Sequence, residues 1–91
     1  IIVPRDRIFT PEKWARTPDH MRHKLMWSFH RQYQLEGMTR KEVEKLLGKG
    51  DDLQGSVEYK LRDDWIGGWR VYHIDYKQDR VIRAKETWQD W

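Results

Sequence analysis

A short segment of this 91-residue chain, residues 37–48, carries signals for the start, the buried face and the end of one helix. Thr39 and Glu42 have the spacing of a capping box, in which each side chain satisfies the backbone N–H of the other residue. Apolar residues then recur three and four positions apart, at Val43, Leu46 and Leu47, and so share one side of a helix. Gly48 readily adopts the left-handed conformation that ends helices. The segment therefore predicts an amphipathic helix over 40–47 that packs on a partner surface.

A preceding helix and a following sheet are predicted to supply that surface. From Asp19 to about Leu35, apolar residues recur with helical spacing, at Met21, Leu25, Phe29 and Tyr33. After Asp52 the pattern alternates, and it predicts three strands, at about 57–62, 69–76 and 81–88. Short polar connections favour antiparallel pairing. We expect an α+β fold, with two N-terminal helices packed on a three-stranded antiparallel β-meander in two layers.

The alternation also predicts which side of each strand the helices cover. The expected inward residues are Val57, Tyr59 and Leu61, and then Tyr72, Ile74 and Tyr76. On the third strand, Ile82, Ala84 and Trp88 are predicted to share one face. On this prediction, the apolar side of the 40–47 helix and the Tyr72 side of the meander are both dry.

Residues 1–18 differ in composition from the rest of the chain because they contain all three prolines. Proline disfavours helix in the residue before it, so the sequence predicts an extended N-terminal arm over 1–18 and a single α+β domain over 19–91. Ile8, Phe9 and Trp14 are too apolar to stay in water, and we expect them to dock the arm on the domain. A disordered leader is the alternative.

The composition restricts the chemistry that is available to the chain. There is no cysteine, which excludes disulfides, thiolate chemistry and cysteine zinc sites, whereas six tryptophans offer large buried surfaces. Acidic and basic residues are interleaved, with a formal net charge of +3, which is typical of a solvated surface. No apolar run reaches the length of a membrane span.

Part of the sequence is similar to a known family. The run from Leu35 through Gly37-Met38-Thr39 to Leu46-Leu47-Gly48, followed by Asp51, resembles the L-x-G-M-T-x-x-x-V-x-x-L-L-G-x-P-D pattern of the SmpA/OmlA small outer-membrane lipoproteins and their relatives with a β-lactamase-inhibitor-protein-like domain. Residues 72–76 and Val81 resemble the strand and hairpin that follow in that family. The resemblance spans about residues 20–88. It implies two helices on an antiparallel sheet, and a protein that acts in the bacterial envelope by protein contact rather than by catalysis. Its implied location is periplasmic or outer-membrane-anchored, through a lipid anchor before Ile1, with the cytoplasm as the alternative.

Catalytic and metal-binding patterns are weak. Ser28 and Ser56 lie in no nucleophile-elbow sequence, and no glycine-rich loop precedes a helix, so we expect no enzyme activity and no cofactor. His20 and His23 have the i, i+3 spacing that allows two imidazoles to reach one metal ion, and they are the weak candidate for a metal site.

Nucleic-acid binding is the alternative function. Four basic residues lie near aromatic residues on the predicted meander, an arrangement that favours single-stranded nucleic acid. They are Arg70, Lys77, Arg80 and Arg83. A helical cover over Tyr72 would remove the stacking rings, and a net charge of +3 is small for phosphate neutralisation.

Protein contact is the function that the sequence favours. Tryptophan is enriched at the energetic centres of interfaces, and this chain holds more aromatic residues at a loop and at its C-terminus than one small core needs. The candidate contact residues are Trp65, Ile66, Trp69, Trp27 and Trp91. We predict an interaction domain whose partner is another protein.

Overall fold

The helices precede the strands along the chain, which makes this an α+β protein as predicted. The computed structural model describes residues 4–64 and 67–90. The helices are α1 (Pro11–Arg16), α2 (Met26–Gln32) and α3 (Arg40–Leu47), with 3-10 segments at Arg5–Arg7 and Asp19–Leu25. The strands are β1 (Asp51–Asp52), β2 (Ser56–Asp64), β3 (Gly68–Lys77) and β4 (Arg80–Asp90).

In the described part of the chain, the sheet has four antiparallel strands in the order β1-β2-β3-β4, so the prediction of three strands was wrong by one. The additional strand, β1, is two residues long and pairs Asp51 with Glu58. A tight turn returns the chain to β2 through Gln54 and Gly55, whose φ angles are 56° and 93°. Two acidic residues show no apolar alternation, so this strand had no pattern by which the sequence could reveal it.

The helices and the 3-10 segments pack on one face of the sheet, which we call the helix side; the opposite face is the open side. Val57, Tyr59 and Leu61 of β2, and Tyr72 and Ile74 of β3, are buried on the helix side. Val43 and Leu47 of α3 belong to the same core. The expectation that the apolar side of α3 and the Tyr72 side of the sheet are both dry is confirmed.

The predicted boundaries of α3 are confirmed in detail. Thr39 Oγ1 accepts the Glu42 N–H at 3.2 Å, and the Thr39 N–H donates to Glu42 Oε1 at 2.9 Å. Gly48 follows the helix with φ at 71°, a left-handed value that favours glycine. Local side-chain chemistry therefore sets both ends of this helix.

The single helix predicted from Asp19 to about Leu35 is instead two segments of different geometry. Asp19–Leu25 is a 3-10 helix, α2 covers Met26–Gln32, and Tyr33 is already extended. Because a 3-10 helix has about three residues per turn, its side chains rotate away from the positions that an α-helix would give them. Met21 is accordingly only partly buried, whereas Met26 is fully buried in the core.

The N-terminal arm is helical over part of its length, so its predicted extended conformation was wrong at α1. Thr10 Oγ1 accepts the Lys13 N–H at 3.0 Å, and Pro11 occupies the first helical turn, where its missing N–H has no consequence. Phe9 and Trp14 are buried, as predicted, whereas Ile8 is 38% exposed. The division of the chain at residue 18 stays a prediction.

The shared face predicted for Ile82, Ala84 and Trp88 of β4 was wrong at its first position, Ile82. The register changes between Asp75 and Tyr76, so that Tyr76 is opposite Val81 and Asp75 is opposite Arg83. This bulge leaves Ile82 without a cross-strand partner and 56% exposed, while Val81 is buried. Ala84 packs against the core.

Candidate interaction surface

The two predicted contact residues that the structure describes, Trp27 and Trp69, do not lie together. Trp65, Ile66 and Trp91 lie outside the described residues. Trp27 is exposed on α2, on the helix side, whereas Trp69 is partly buried on the open side, where the Lys60 ammonium lies 4.9 Å from its ring centroid. Trp27 and Trp69 are therefore on opposite sides of the sheet.

Trp27 belongs to the exposed side of α2. Met26 and Phe29 turn into the core, so helical geometry places Trp27, His30 and Arg31 together on the outward side. The Arg31 guanidinium lies 5.0 Å from the centroid of the Trp27 ring, in cation–π contact. An aromatic ring and a cation thus share this part of the helix.

A bridge of polar contacts joins that side of α2 to the sheet. His30 Nε2 lies 2.8 Å from Glu86 Oε2, and Arg70 Nε donates to Glu86 Oε1 at 3.2 Å. Arg70 is directly opposite Trp88 in the β3–β4 register, and Trp88 is 45% exposed. The residues Trp27, His30, Arg31, Arg70, Glu86 and Trp88 form what we call the Trp27–Trp88 surface.

The position of the Trp88 ring depends on Gly68. A Cβ atom at Gly68 would lie 3.0 Å from Cζ2 of Trp88, closer than an ordinary van der Waals contact. The absence of a side chain at Gly68 lets the ring lie against the backbone of β3. The sequence predicts that Trp88 shares a face with Ala84, whereas its exposure beside Gly68 is evident only from the structure.

The open side carries a second polar cluster, centred on His73. Its Nδ1 lies 2.7 Å from Glu58 Oε2, and its Nε2 lies 2.9 Å from Asp75 Oδ1. Ser56 Oγ donates to Asp75 Oδ1 at 2.6 Å, and Arg83 Nε donates to Asp75 Oδ2 at 3.0 Å. The cluster spans β2, β3 and β4, because cross-strand register places these residues side by side.

These contacts shift the pKa values of two members of the cluster. Burial alone would lower the pKa of His73, but its hydrogen bonds to Glu58 and Asp75 outweigh that effect, and the pKa lies above its ordinary value. The Ser56 hydrogen bond, helped by His73 and Arg83, lowers the pKa of Asp75 to about 2. Both shifts favour a charged imidazolium next to a charged carboxylate.

The geometry of the cluster is suited to holding strands together rather than to nucleophilic catalysis. Ser56 donates to a carboxylate, and each ring nitrogen of His73 contacts a carboxylate, so no imidazole nitrogen faces the serine hydroxyl. A general base must be within hydrogen-bond reach of the proton that it removes. The base within reach of the Ser56 hydroxyl is the Asp75 carboxylate, and its pKa of about 2 makes it a weak base.

The candidate metal ligands have other surroundings. His20 is exposed, and His23 Nδ1 lies 3.3 Å from the Leu61 carbonyl oxygen. Over residues 4–64 and 67–90, no group of three or more histidine, aspartate or glutamate residues has a geometry that could hold a metal ion. The metal site at His20 and His23 stays a prediction without a third ligand from the described part of the chain.

Three of the four basic residues proposed for nucleic acid have contacts within the protein. Arg70 bonds to Glu86, Arg83 bonds to Asp75, and Arg80 Nη1 donates to the Gly37 carbonyl at 2.8 Å. Lys77 is exposed at the end of β3. The Tyr72 ring, which could have stacked on a base, is buried under the helices.

A groove of about 360 Å³ separates α1 from α3. Arg22, Glu44 and Lys45 are among its lining residues, so charges of both signs face it. Its floor includes Trp14, whose ring carries the Arg22 guanidinium at 4.5 Å from the centroid. These charged side chains make the groove unlike the predominantly apolar pockets that bind small ligands.

Comparisons of the chain with protein-family models, with curated proteins and with solved structures gave no match. In the described ranges, no helix has both the length and the apolar character needed to cross a bilayer.

Proposed function

We propose that this chain is a non-catalytic domain that binds another protein through the Trp27–Trp88 surface. The observation that carries the proposal is the presence of two tryptophans, 53% and 45% exposed, beside an ordered bridge of His30, Glu86 and Arg70. Tryptophan and arginine are the residues most enriched at interface hot spots. Exposed aromatic side chains that are held in place lose little conformational freedom on binding.

The internal bridge also supports a contact role for this surface. The Glu86 carboxylate is shared by His30 and Arg70, so the charges between the two tryptophans are already paired before a partner arrives. Paired groups need less new hydrogen bonding when an interface buries them, whereas an unpaired charge is costly to desolvate. The surface thus presents two apolar rings next to charged groups that are already paired with each other.

We further propose that the natural protein works in the bacterial envelope, as the resemblance to the SmpA/OmlA lipoproteins implies. The support is the α+β order of the chain and the capped α3 helix, which carries the resembling residues. Fractionation of cells that express the natural protein tests this part of the proposal. Recovery in the envelope fraction is expected, and recovery in the cytoplasmic fraction alone would contradict it.

Site-specific photo-crosslinking tests the contact surface. A photoreactive amino acid is placed at position 27 or 88, with exposed position 41 on α3 as the control. Crosslinks to one identified protein from positions 27 and 88, and none from 41, are the expected result. Equal capture from all three positions would contradict the proposal.

Alanine variants then measure the contribution of each ring to the contact. Trp27→Ala and Trp88→Ala should each weaken binding of the identified protein by about 2 kcal/mol, roughly 30-fold. Lys41→Ala is the control, and circular dichroism confirms that each variant is folded. Trp65→Ala, compared in the same assay, tests the separate prediction that the loop around Trp65 takes part.

A further inference from the structure

The outer edge of β4 is a second feature suited to binding. β4 ends the strand order, so it has a neighbouring strand on one side only. It is 11 residues long and contains no proline. A long edge strand presents backbone donors and acceptors that can pair with another strand, and proteins commonly keep such edges short or covered. The edge of β4 therefore needs an explanation.

The chain itself pairs with the beginning of this edge. The Gly37 N–H donates to the Val81 carbonyl at 2.9 Å, and the Val81 N–H donates to the Met38 carbonyl at 2.8 Å. Thr39 and Arg80 form an antiparallel bridge next to them. The edge thus accepts a strand at its start. This pairing ends at Val81, where a turn from Leu35 to Met38 leads the chain away.

Three later residues direct their backbone groups to the same edge. Ala84, Glu86 and Trp88 are opposite Ile74, Tyr72 and Arg70, on the helix side of β4, which they share with Val81. Residues of one strand that share a face direct their N–H and C=O groups to the same edge. Within the described ranges, no backbone hydrogen bond outside the β3–β4 ladder reaches these three residues. Three donors and three acceptors are thus aligned for a further strand.

The two sides of this edge differ in chemistry. On the open side, Arg83 is bonded to Asp75, whereas Lys85 is exposed and takes part in none of the ion pairs of the described residues. On the helix side, Trp88 is half-exposed and Ala84 is small. A strand added here would meet a cation on one face and an aromatic ring on the other.

We propose that the edge of β4 from Ala84 to Trp88 binds an extended segment of a partner protein in which acidic and apolar residues alternate. Its acidic side chains face Lys85 and its apolar side chains contact Trp88. Strand addition of this kind takes affinity from main-chain hydrogen bonds and specificity from alternate side chains. The inference rests on the proposed function and names the chemistry of the partner.

A second copy of this chain is a poorer fit to the edge. Antiparallel pairing of two β4 edges around a two-fold axis near Lys85 would bring Arg83 and Lys85 of both copies to one face. Like charges on facing strands are destabilising. The acidic side chains of a partner segment would instead interact favourably with these two cations.

Fluorescence anisotropy with synthetic peptides tests the proposal. The probe is a labelled seven-residue peptide in which glutamate and valine alternate, and the first control replaces every glutamate by lysine. The second control carries N-methyl groups on the valine amides, which face β4 in the proposed complex. Methylation removes these backbone donors without changing the side chains. The glutamate peptide should bind at least ten-fold more tightly than either control. Equal binding of the N-methylated peptide would overturn the proposal.

Protein variants locate the binding on β4. Lys85→Glu should reverse the preference between the glutamate and lysine peptides, whereas Lys41→Glu, the same change on α3, should leave it unaltered. Ala84→Pro removes one outward donor and should weaken binding at least ten-fold, with circular dichroism as the check on folding. If that variant does not fold, Lys85→Glu and the N-methylated peptide still decide the question. A dimer in sedimentation that Lys85→Glu alters would overturn the proposal in favour of self-pairing.

The outcomes separate this inference from the proposed function. Capture of a protein that depends on Trp27 but is unaffected by Ala84→Pro would overturn the edge proposal and leave the proposed function standing. Peptide binding that requires Lys85, together with crosslinks from position 88 but none from position 27, would overturn the proposed Trp27–Trp88 contact surface and leave the edge proposal standing.

Discussion

Replacing Trp14 by phenylalanine tests whether the N-terminal arm is an integral part of the fold. Trp14 is 1% exposed, and its Nε1 donates to the Leu47 carbonyl at 2.9 Å. Leu47 is the last residue of α3, where carbonyl groups have no partner inside the helix. The indole N–H therefore caps the C-terminal end of α3 from a distance of 33 residues along the sequence.

The expected loss is the sum of two effects. Leaving the Leu47 carbonyl buried and unpaired costs about 1–3 kcal/mol, and the smaller ring loses about 1 kcal/mol of apolar burial. A domain of this size has a free energy of unfolding of roughly 5–14 kcal/mol. The two effects together cost about 2–4 kcal/mol. Because 1 kcal/mol shifts the melting temperature of such a domain by about 4–8 °C, Trp14→Phe should lower it by roughly 8–30 °C.

Thermal unfolding followed by circular dichroism measures this effect. The matched control is Trp27→Phe, the same chemical change at an exposed ring on α2, for which we expect less than about 0.5 kcal/mol. Melting temperatures of the two variants within about 2 °C of each other would refute the conclusion that the arm holds α3 in place.

Three further predictions concern polar contacts and backbone packing. The raised pKa of His73 stabilises the fold below the ordinary histidine value of 6.5, and the lowered pKa of Asp75 does so above 3.8. The free energy of unfolding should thus be greatest between those values and fall as the pH rises above 6.5. Urea titrations at several pH values should show a weaker fall in His73→Gln than in the wild-type protein. Identical pH profiles for the two proteins would contradict this prediction. Thr39→Ala removes the N-cap of α3 and should cost about 1 kcal/mol in urea unfolding, with exposed Lys41→Ala unchanged; equal midpoints would contradict it. Gly50→Ala should cost about 1–3 kcal/mol, because its Cβ would lie 2.7 Å from the Glu58 carbonyl oxygen; an unchanged melting temperature would show that the strands shift freely there.

The elements that the sequence predicts correctly are those whose determining contacts are local. The capping box of Thr39 and Glu42 lies within four residues, and the stop at Gly48 depends on its own φ. Alternation predicted the buried residues of β2 and β3 for a similar reason, since each side chain takes its direction from the local pleat. The α+β order and the dry face of α3 follow from these local signals.

The errors lie where the structure depends on distant partners. β1 is a strand only because it pairs with β2, and its two aspartates carry no strand pattern of their own. Ile82 and Val81 exchange places because of a bulge opposite Asp75 and Tyr76, which alternation along one strand does not encode. At α1, Thr10 and Pro11 are a local start signal that the prediction of an extended arm overlooked.

The candidate site shows the same division. Trp27 was predicted as a contact residue from its position on a helix, and it is exposed. Its connection to Trp88 runs through Glu86, which accepts from Arg70 on the neighbouring strand and contacts His30 on α2. These residues belong to three elements, and the relative positions of all three must be known before the surface is recognised. No single segment of the sequence therefore predicts it.

Trp88 belongs to both proposed binding regions, and this sharing makes a final prediction. Its ring is part of the Trp27–Trp88 surface, and its backbone lies on the outer edge of β4. Trp88→Ala should therefore weaken the binding of both the captured protein and the glutamate–valine peptide, because it removes the ring that both of them contact. Trp27→Ala should weaken the binding of the captured protein, whereas the affinity for the peptide should stay within two-fold of the wild-type value, since Trp27 lies on α2, away from the strand edge. Measuring all four affinities in one buffer checks the prediction. Equal loss of peptide binding in both variants would mean that the peptide lies across α2 rather than along β4.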